Sequence, residues 1–127
     1  MHKIIVIEND PDTLDILRYI FEGRGFAVLS RVASVPLDTI ITENPDLILL
    51  DYYLDDEYGS DYCQELKHNP LTSHIPIILL STTIELHQIV TESCANAYLK
   101  KPFELGELEV LVNGLLANNG SSADILI

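Results

Sequence analysis

Lysine and arginine together number only seven against 20 aspartates and glutamates, which leaves the 127-residue chain at −13 at pH 7. A surface that acidic repels phosphate backbones and anionic headgroups, so neither direct nucleic-acid binding nor membrane binding is expected. Cysteine is scarce too. Cys63 and Cys94 form no CxxC pair and fit two reduced thiols of an intracellular protein better than a disulfide framework. His2, His68, His74 and His87 lack zinc-like spacing and read as surface or loop residues. No apolar run approaches the length of a membrane span. Met1, His2 and Lys3 lead straight into Ile4-Ile5-Val6-Ile7 without a cleavable signal pattern, so a cytoplasmic protein is expected. Internal repeats, linkers and low-complexity segments are absent as well. What remains, with 47% apolar residues, is enough for one globular domain with a real core.

The apolar residues gather in short continuous runs. Lys3–Ile7, Leu47–Leu50 and Ile77–Leu80 have the length and composition of strands covered on both faces. Phe26–Val32 and Ala97–Lys100 read as two further strands. Between them lie helical patterns. Asp10-Pro11 starts the first, with Asp at the N-cap, Pro at the first helical position and Asp12 in the first turn, and Leu14, Leu17 and Phe21 form its stripe. A short helix around Leu37, Ile40 and Ile41 ends at Asn44-Pro45, and another spans Ser60–His68 with Tyr62, Cys63 and Leu66 inward. A weaker pattern carries Leu86, Ile89 and Val90. The last helix holds Leu105, Leu108, Leu111, Val112, Leu115 and Leu116 at helical spacing. Strand and helix alternate five times, which specifies an α/β fold, a doubly wound parallel sheet with right-handed crossovers. The domain is expected over residues 1–120, with 121–127 as a C-terminal tail that either frays or docks on a neighbour.

Chemistry-bearing residues follow the strands. Glu8, Asn9 and Asp10 follow the first, Asp51 the third, Ser81 and Thr82 the fourth, and Lys101 the fifth. In open parallel sheets the loops at that edge build the ligand site. Taken singly, each residue has a plainer reading: Asp51 as a helix cap or turn residue, Ser81 as a cap, Lys101 as a solvated charge, Tyr98 as a half-buried strand residue. Taken together, oxygen ligands from several loops suit a hard divalent cation such as Mg2+, and a hydroxyl with an ammonium group suits a phosphoryl group. Phosphoryl transfer to a carboxylate needs positioning and charge neutralisation more than covalent help, so this set is adequate.

From Lys3 to about Asn118 the chain closely resembles the receiver domain of two-component response regulators. The resemblance rests on the acidic cluster after the first strand, PDLILLD with Gly59 eight positions after the Asp, IPIILLST, and YLKKPF. It implies a flavodoxin-like (βα)5 sheet of strand order 2-1-3-4-5. It implies Asp51 as phosphoacceptor, served by a histidine kinase or histidine phosphotransfer protein. Mg2+ would be held by Glu8, Asn9, Asp10, Asp51 and the Tyr53 carbonyl. Ser81 and Thr82 are placed beside the phosphoryl group, Ser81 as the switch hydroxyl, with Tyr98 as the aromatic switch and Lys101 as the phosphate-contacting lysine before a cis proline. Output to a target protein is implied on the face of the fourth helix, fifth strand and fifth helix, a homodimer is compatible with it, and the module is not a turnover enzyme.

The sequence departs from the family pattern at Asn9, which offers a neutral amide where a metal-ligating Asp usually stands, so weaker Mg2+ binding is expected. Asp10 is a poor substitute if it caps the first helix. Asp55 and Asp56 stand where Pro-Gly is frequent, and the segment from Ser81 to Lys101 is short, which predicts an abbreviated fourth helix. Two functional readings follow. The first is a single-domain response regulator switched by phosphorylation of Asp51; the second is a pseudo-receiver that binds partners without phosphorylation because Asn9 disables the metal site. A haloacid-dehalogenase-like phosphatase requires DxD, and here Tyr53 stands two after Asp51. Nucleotide or flavin binding calls for a Gly- or Ser/Thr-rich loop where Glu8-Asn9-Asp10 stands.

Overall fold

The structure is a computed structural model that describes residues 1–55, 57–82 and 95–118, leaving aside the Asn118 side chain. Its strands are β1 (Lys3–Ile7), β2 (Ala27–Arg31), β3 (Leu47–Asp51), β4 (Ile77–Ser81) and β5 (Ala97–Lys100). Its helices are α1 (Pro11–Gly23), α2 (Leu37–Glu43), α3 (Gly59–His68) and a C-terminal helix (Leu105–Asn118). The strands form one parallel sheet in the order β2-β1-β3-β4-β5. The reading of a doubly wound sheet therefore holds, and the order is the one the resemblance implied.

Each inner strand carries an unbroken run of four apolar residues because it is covered twice. Ile5, Ile7, Ile48, Leu50, Ile77 and Leu79 point into a core shared with Ile40 of α2 and Tyr62, Cys63 and Leu66 of α3. Their neighbours Ile4, Val6, Leu47, Leu49, Ile78 and Leu80 point the other way, onto Leu14, Leu17 and Phe21 of α1 and Leu108 and Val112 of the C-terminal helix. Side-chain alternation along each strand separates the two cores.

Local chemistry places the ends of these elements. Asp10 is extended at the α1 N-cap and Pro11 opens the helix, while Gly25 at φ +92° turns the chain out of it. The Asp10 carboxylate accepts from the Thr13 hydroxyl at 2.6 Å. Asn44 closes α2 in the left-handed region at φ 48°. The buried Tyr62 hydroxyl donates to the Val35 carbonyl at 2.6 Å, fastening α3 to the segment before α2. At the amino edge of the sheet, the Lys67 ammonium donates to the Ser73 and Ile75 carbonyls and to Asn96 Oδ1, which also accepts from the Ile77 N–H.

Two elements differ from expectation. The second strand is shorter than Phe26–Val32 at both ends, and as an edge strand with one neighbour it is only half-buried. In the C-terminal helix, Leu108 and Val112 are fully buried, whereas Leu111, Leu115 and Leu116 pack on the core only in part, because the helix lies toward one edge of the sheet. Cys63 is buried and is not part of a disulfide, and His2, His68 and His74 are exposed. The expectations for Asp56, His87, Cys94, the helix with Leu86, Ile89 and Val90, and the tail 121–127 fall outside the described residues. Among the described residues, no helix is long and apolar enough to cross a membrane.

Candidate functional site

The carboxyl edge of the sheet brings Glu8, Asp51 and Lys101 into one cluster. Asp51 ends β3 and is 3% exposed. Its two oxygens are held separately: Oδ2 accepts from the Asn9 N–H at 3.2 Å and Oδ1 from the Tyr53 N–H at 3.3 Å. The two backbone donors fix the carboxylate plane. Glu8 follows β1 and is fully buried; Oε1 accepts from Lys101 at 2.7 Å and Oε2 from the Asp10 N–H at 3.2 Å. Burial is the main reason its carboxyl is pushed up to about 7, with nearby Asp51 adding to the rise and Lys101 opposing it. The Lys101 ammonium also stands 3.5 Å from Asp51 Oδ1, so one cation serves two buried acids. The Lys101 N–H donates to the Ser81 carbonyl at 2.7 Å, and the Lys101–Pro102 peptide bond is cis.

The start of α3 closes the site from behind. A Cβ on Gly59 would fall 2.1 Å from the Asp51 carbonyl oxygen, so only glycine lets the helix start this close to the phosphoacceptor candidate. The intervening loop is a miniature antiparallel bridge between Tyr53 and Tyr58. Among the described residues, its hydrogen bonds run from the Gly59 N–H to the Tyr52 carbonyl and from the Leu54 N–H to the Glu57 carbonyl.

The remaining candidates lie at graded distance from the cluster. Ser81 is buried at the end of β4, in register with Lys100. Thr82 is exposed and lines a cavity of about 380 Å3 with Thr13, Lys101, Pro102 and Phe103, an open approach to the site. Asn9 joins through its backbone. The Asp10 carboxylate is turned to Thr13, whose hydroxyl is the main reason it lies below its ordinary pKa, while the Lys101 charge adds to the lowering from the site. Tyr98 is not brought in: it is 40% exposed and lines a surface groove with Leu99, Val110 and Leu111. Sequence reasoning overlooked Thr13 and the ring cluster of Tyr52, Tyr53 and Tyr58. The Thr three residues after the capping Asp, and the tyrosines flanking an acidic turn, were the available signals.

For Mg2+ the donors fit in kind: the Glu8 and Asp51 carboxylates, the Asn9 amide oxygen and the Tyr53 carbonyl are all hard oxygen ligands. Their charge is low. Among the described residues, no three His, Cys, Asp or Glu side chains gather as a metal site.

A doubly wound parallel sheet in the order 2-1-3-4-5, with its polar cluster at the carboxyl edge, is a flavodoxin-like α/β domain. The family model of the response regulator receiver domain matches residues 4–113, and the chain belongs to that family. Receiver domains are signalling modules that histidine kinases phosphorylate and that generally bind Mg2+. The chain is 33% identical over 121 residues to the DNA-binding response regulator MtrA of Mycolicibacterium smegmatis, covering 92% of this chain and 51% of that protein. A protein of Chloroflexus aurantiacus J-10-fl classed with the response regulators superposes with a TM-score of 0.85 at 29% identity, covering 91% of this chain and 98% of that one. The receiver domain of the sensor histidine kinase PA1611 of Pseudomonas aeruginosa PAO1, solved with magnesium in its active-site cleft, shares the fold at a TM-score of 0.79 and 20% identity, over 91% and 98% of the two chains. The chain spans about half the length of the curated relatives it matches.

Proposed function

We propose that Asp51 accepts a phosphoryl group from a histidine kinase or histidine phosphotransfer protein and that the modified domain switches its protein partners. The observation that carries this reading is the ammonium of Lys101 beside an Asp51 carboxylate whose plane is set by two backbone N–H groups. One Asp51 oxygen attacks phosphorus while the bond from phosphorus to the donor's imidazole nitrogen breaks, and that nitrogen keeps the electron pair. Lys101 then exchanges Glu8 for the new phosphoryl oxygens, and Ser81 and Thr82 supply hydroxyl donors at the same edge. Bound Mg2+, held by Glu8, Asp51, the Asn9 amide and the Tyr53 carbonyl, would neutralise charge developing on the phosphoryl oxygens. Tyr98 and the groove with Val110 form part of the surface that a target protein reads after the switch. In this reading residues 1–120 act as a single-domain regulator. A native protein of about 14.2 kDa in its source cells is the expected result, and a larger one removes that part of the proposal.

The decisive experiment incubates the protein with a small phosphodonor and Mg2+ and weighs it intact. One added phosphoryl group that Asp51→Ala abolishes is expected, and no adduct under any metal condition sinks the reading. Asn9 favours a second reading, a pseudo-receiver that binds partners without phosphorylation. A Mg2+ titration followed by tyrosine fluorescence separates the two, since millimolar or tighter binding counts against it.

A further inference from the structure

The loop between Asp51 and α3 exposes aromatic surface that neither core uses. The Tyr52 and Tyr58 rings stack at 5.4 Å and 27°, and Tyr53 stands edge-on to both at 4.7 and 5.8 Å. Tyr52 is anchored by packing on the α2/α3 core, and the Tyr53–Tyr58 bridge ties the loop's two arms together. The cluster is thus held in place before any partner arrives. Yet the outer two rings are left 46% and 52% exposed. They line a cavity of about 340 Å3 together with Leu54, Asp55 and Glu57. Tyrosine faces carry negative potential, and Asp55 on the same cavity reinforces it.

We infer that this cavity is a docking site for an arginine side chain presented by a protein partner. Two observations and the chemistry of guanidinium select that occupant. No lysine or arginine of this chain lines the cavity. The chain's charge of −13 repels nucleic acids, anionic lipids and a second copy of itself, and attracts a basic protein surface. A planar guanidinium stacks on tyrosine while donating to a flanking carboxylate such as Asp55, which a compact ammonium does less well. The cavity starts two residues beyond Asp51, and the Tyr53 N–H already bonds Asp51, so a docked partner sits beside the phosphoacceptor candidate.

The test is a 15N NMR titration of the full chain with acetyl-Gly-Arg-Gly-amide, in parallel with the citrulline peptide, which keeps the shape and loses the charge. Ionic strength is fixed, and Mg2+ and phosphodonor are omitted, so the outcome is independent of the proposed phosphorylation. Saturable shifts centred on Tyr53, Leu54, Asp55, Glu57 and Tyr58 are expected, with the citrulline peptide at least fivefold weaker. Tyr58→Leu should weaken arginine binding roughly two- to fivefold, the range for one exposed cation–π contact, while Tyr58→Phe keeps it. If Tyr58→Leu does not fold, Asp55→Asn serves, with a loss of similar size. Equal response to both peptides, shifts that disappear with Asp51→Asn and persist in Tyr58→Leu, or no saturable shift across the millimolar range each overturn the inference.

Discussion

Lys101 and Glu8, 93 residues apart in sequence, form an ion pair 2.7 Å long in which the acid is fully buried and the ammonium 18% exposed. Lys101 therefore spends the unmodified state nearer to Glu8 than to Asp51, which it meets at 3.5 Å. Removing it leaves two buried carboxylates without a cation. Lys101→Met should cost about 2 kcal/mol in denaturant unfolding at pH 8, below the range for a fully buried pair because Glu8 can take up a proton. The loss should shrink below pH 6, and phosphorylation of Asp51 should slow at least tenfold.

Glu8 makes stability depend on pH in an uncommon direction for an acid. Its carboxyl is raised from 4.5 to about 7, so between those values the folded chain holds a proton that the unfolded chain has released. The stabilisation is complete below about pH 4.5 and is lost as pH rises through about 7, an effect of about 3 kcal/mol. Urea unfolding at intervals from pH 5 to 8 should show the decline. Glu8→Gln should flatten it.

Asn9→Asp restores an anionic ligand beside Glu8 and Asp51. The Asn9 contact to Asp51 is made by the backbone N–H, so the substitution leaves it in place. Mg2+ affinity should rise at least tenfold, since a unit charge at ~4 Å is worth up to about 4 kcal/mol at an effective dielectric near 20. Without Mg2+ the added charge should lower the melting temperature. Thermal melts with and without the ion read both effects.

Gly59→Ala puts a methyl group 2.1 Å from the Asp51 carbonyl oxygen, and backbone on both sides must move. A loss of about 2 kcal/mol is expected from overpacking of this kind, with slower phosphorylation as Asp51 shifts. Gly106→Ala is the control, because nothing lies within 4 Å of its Cβ position.

The sheet was legible in the sequence because burial on both faces turns Ile4–Ile7, Leu47–Leu50 and Ile77–Leu80 into unbroken apolar runs. The strand order came only with the resemblance, since periodicity says which residues are covered and not which strands are neighbours. Spacing placed Glu8, Asp51 and Lys101 at one edge. It said nothing of Lys101 choosing Glu8, which depends on rotamers set by packing. Asp10 shows the same gap: its backbone N–H serves Glu8 while its carboxylate turns to Thr13. The tyrosine cluster was visible only as composition, because its geometry depends on a bridge between Tyr53 and Tyr58 that no local pattern announces.

The Lys67–Asn96 knot lies at the end of the sheet away from Asp51, and it ties the beginnings of β4 and β5 to α3. The far ends of those strands deliver Ser81 and Lys101. Riveted at the rear by Asn96, the two strands are joined again at the front by the bond from the Lys101 N–H to the Ser81 carbonyl. A displacement of Ser81 or of Lys101 is therefore handed from one strand to the other at the front, while the rear stays fixed to α3.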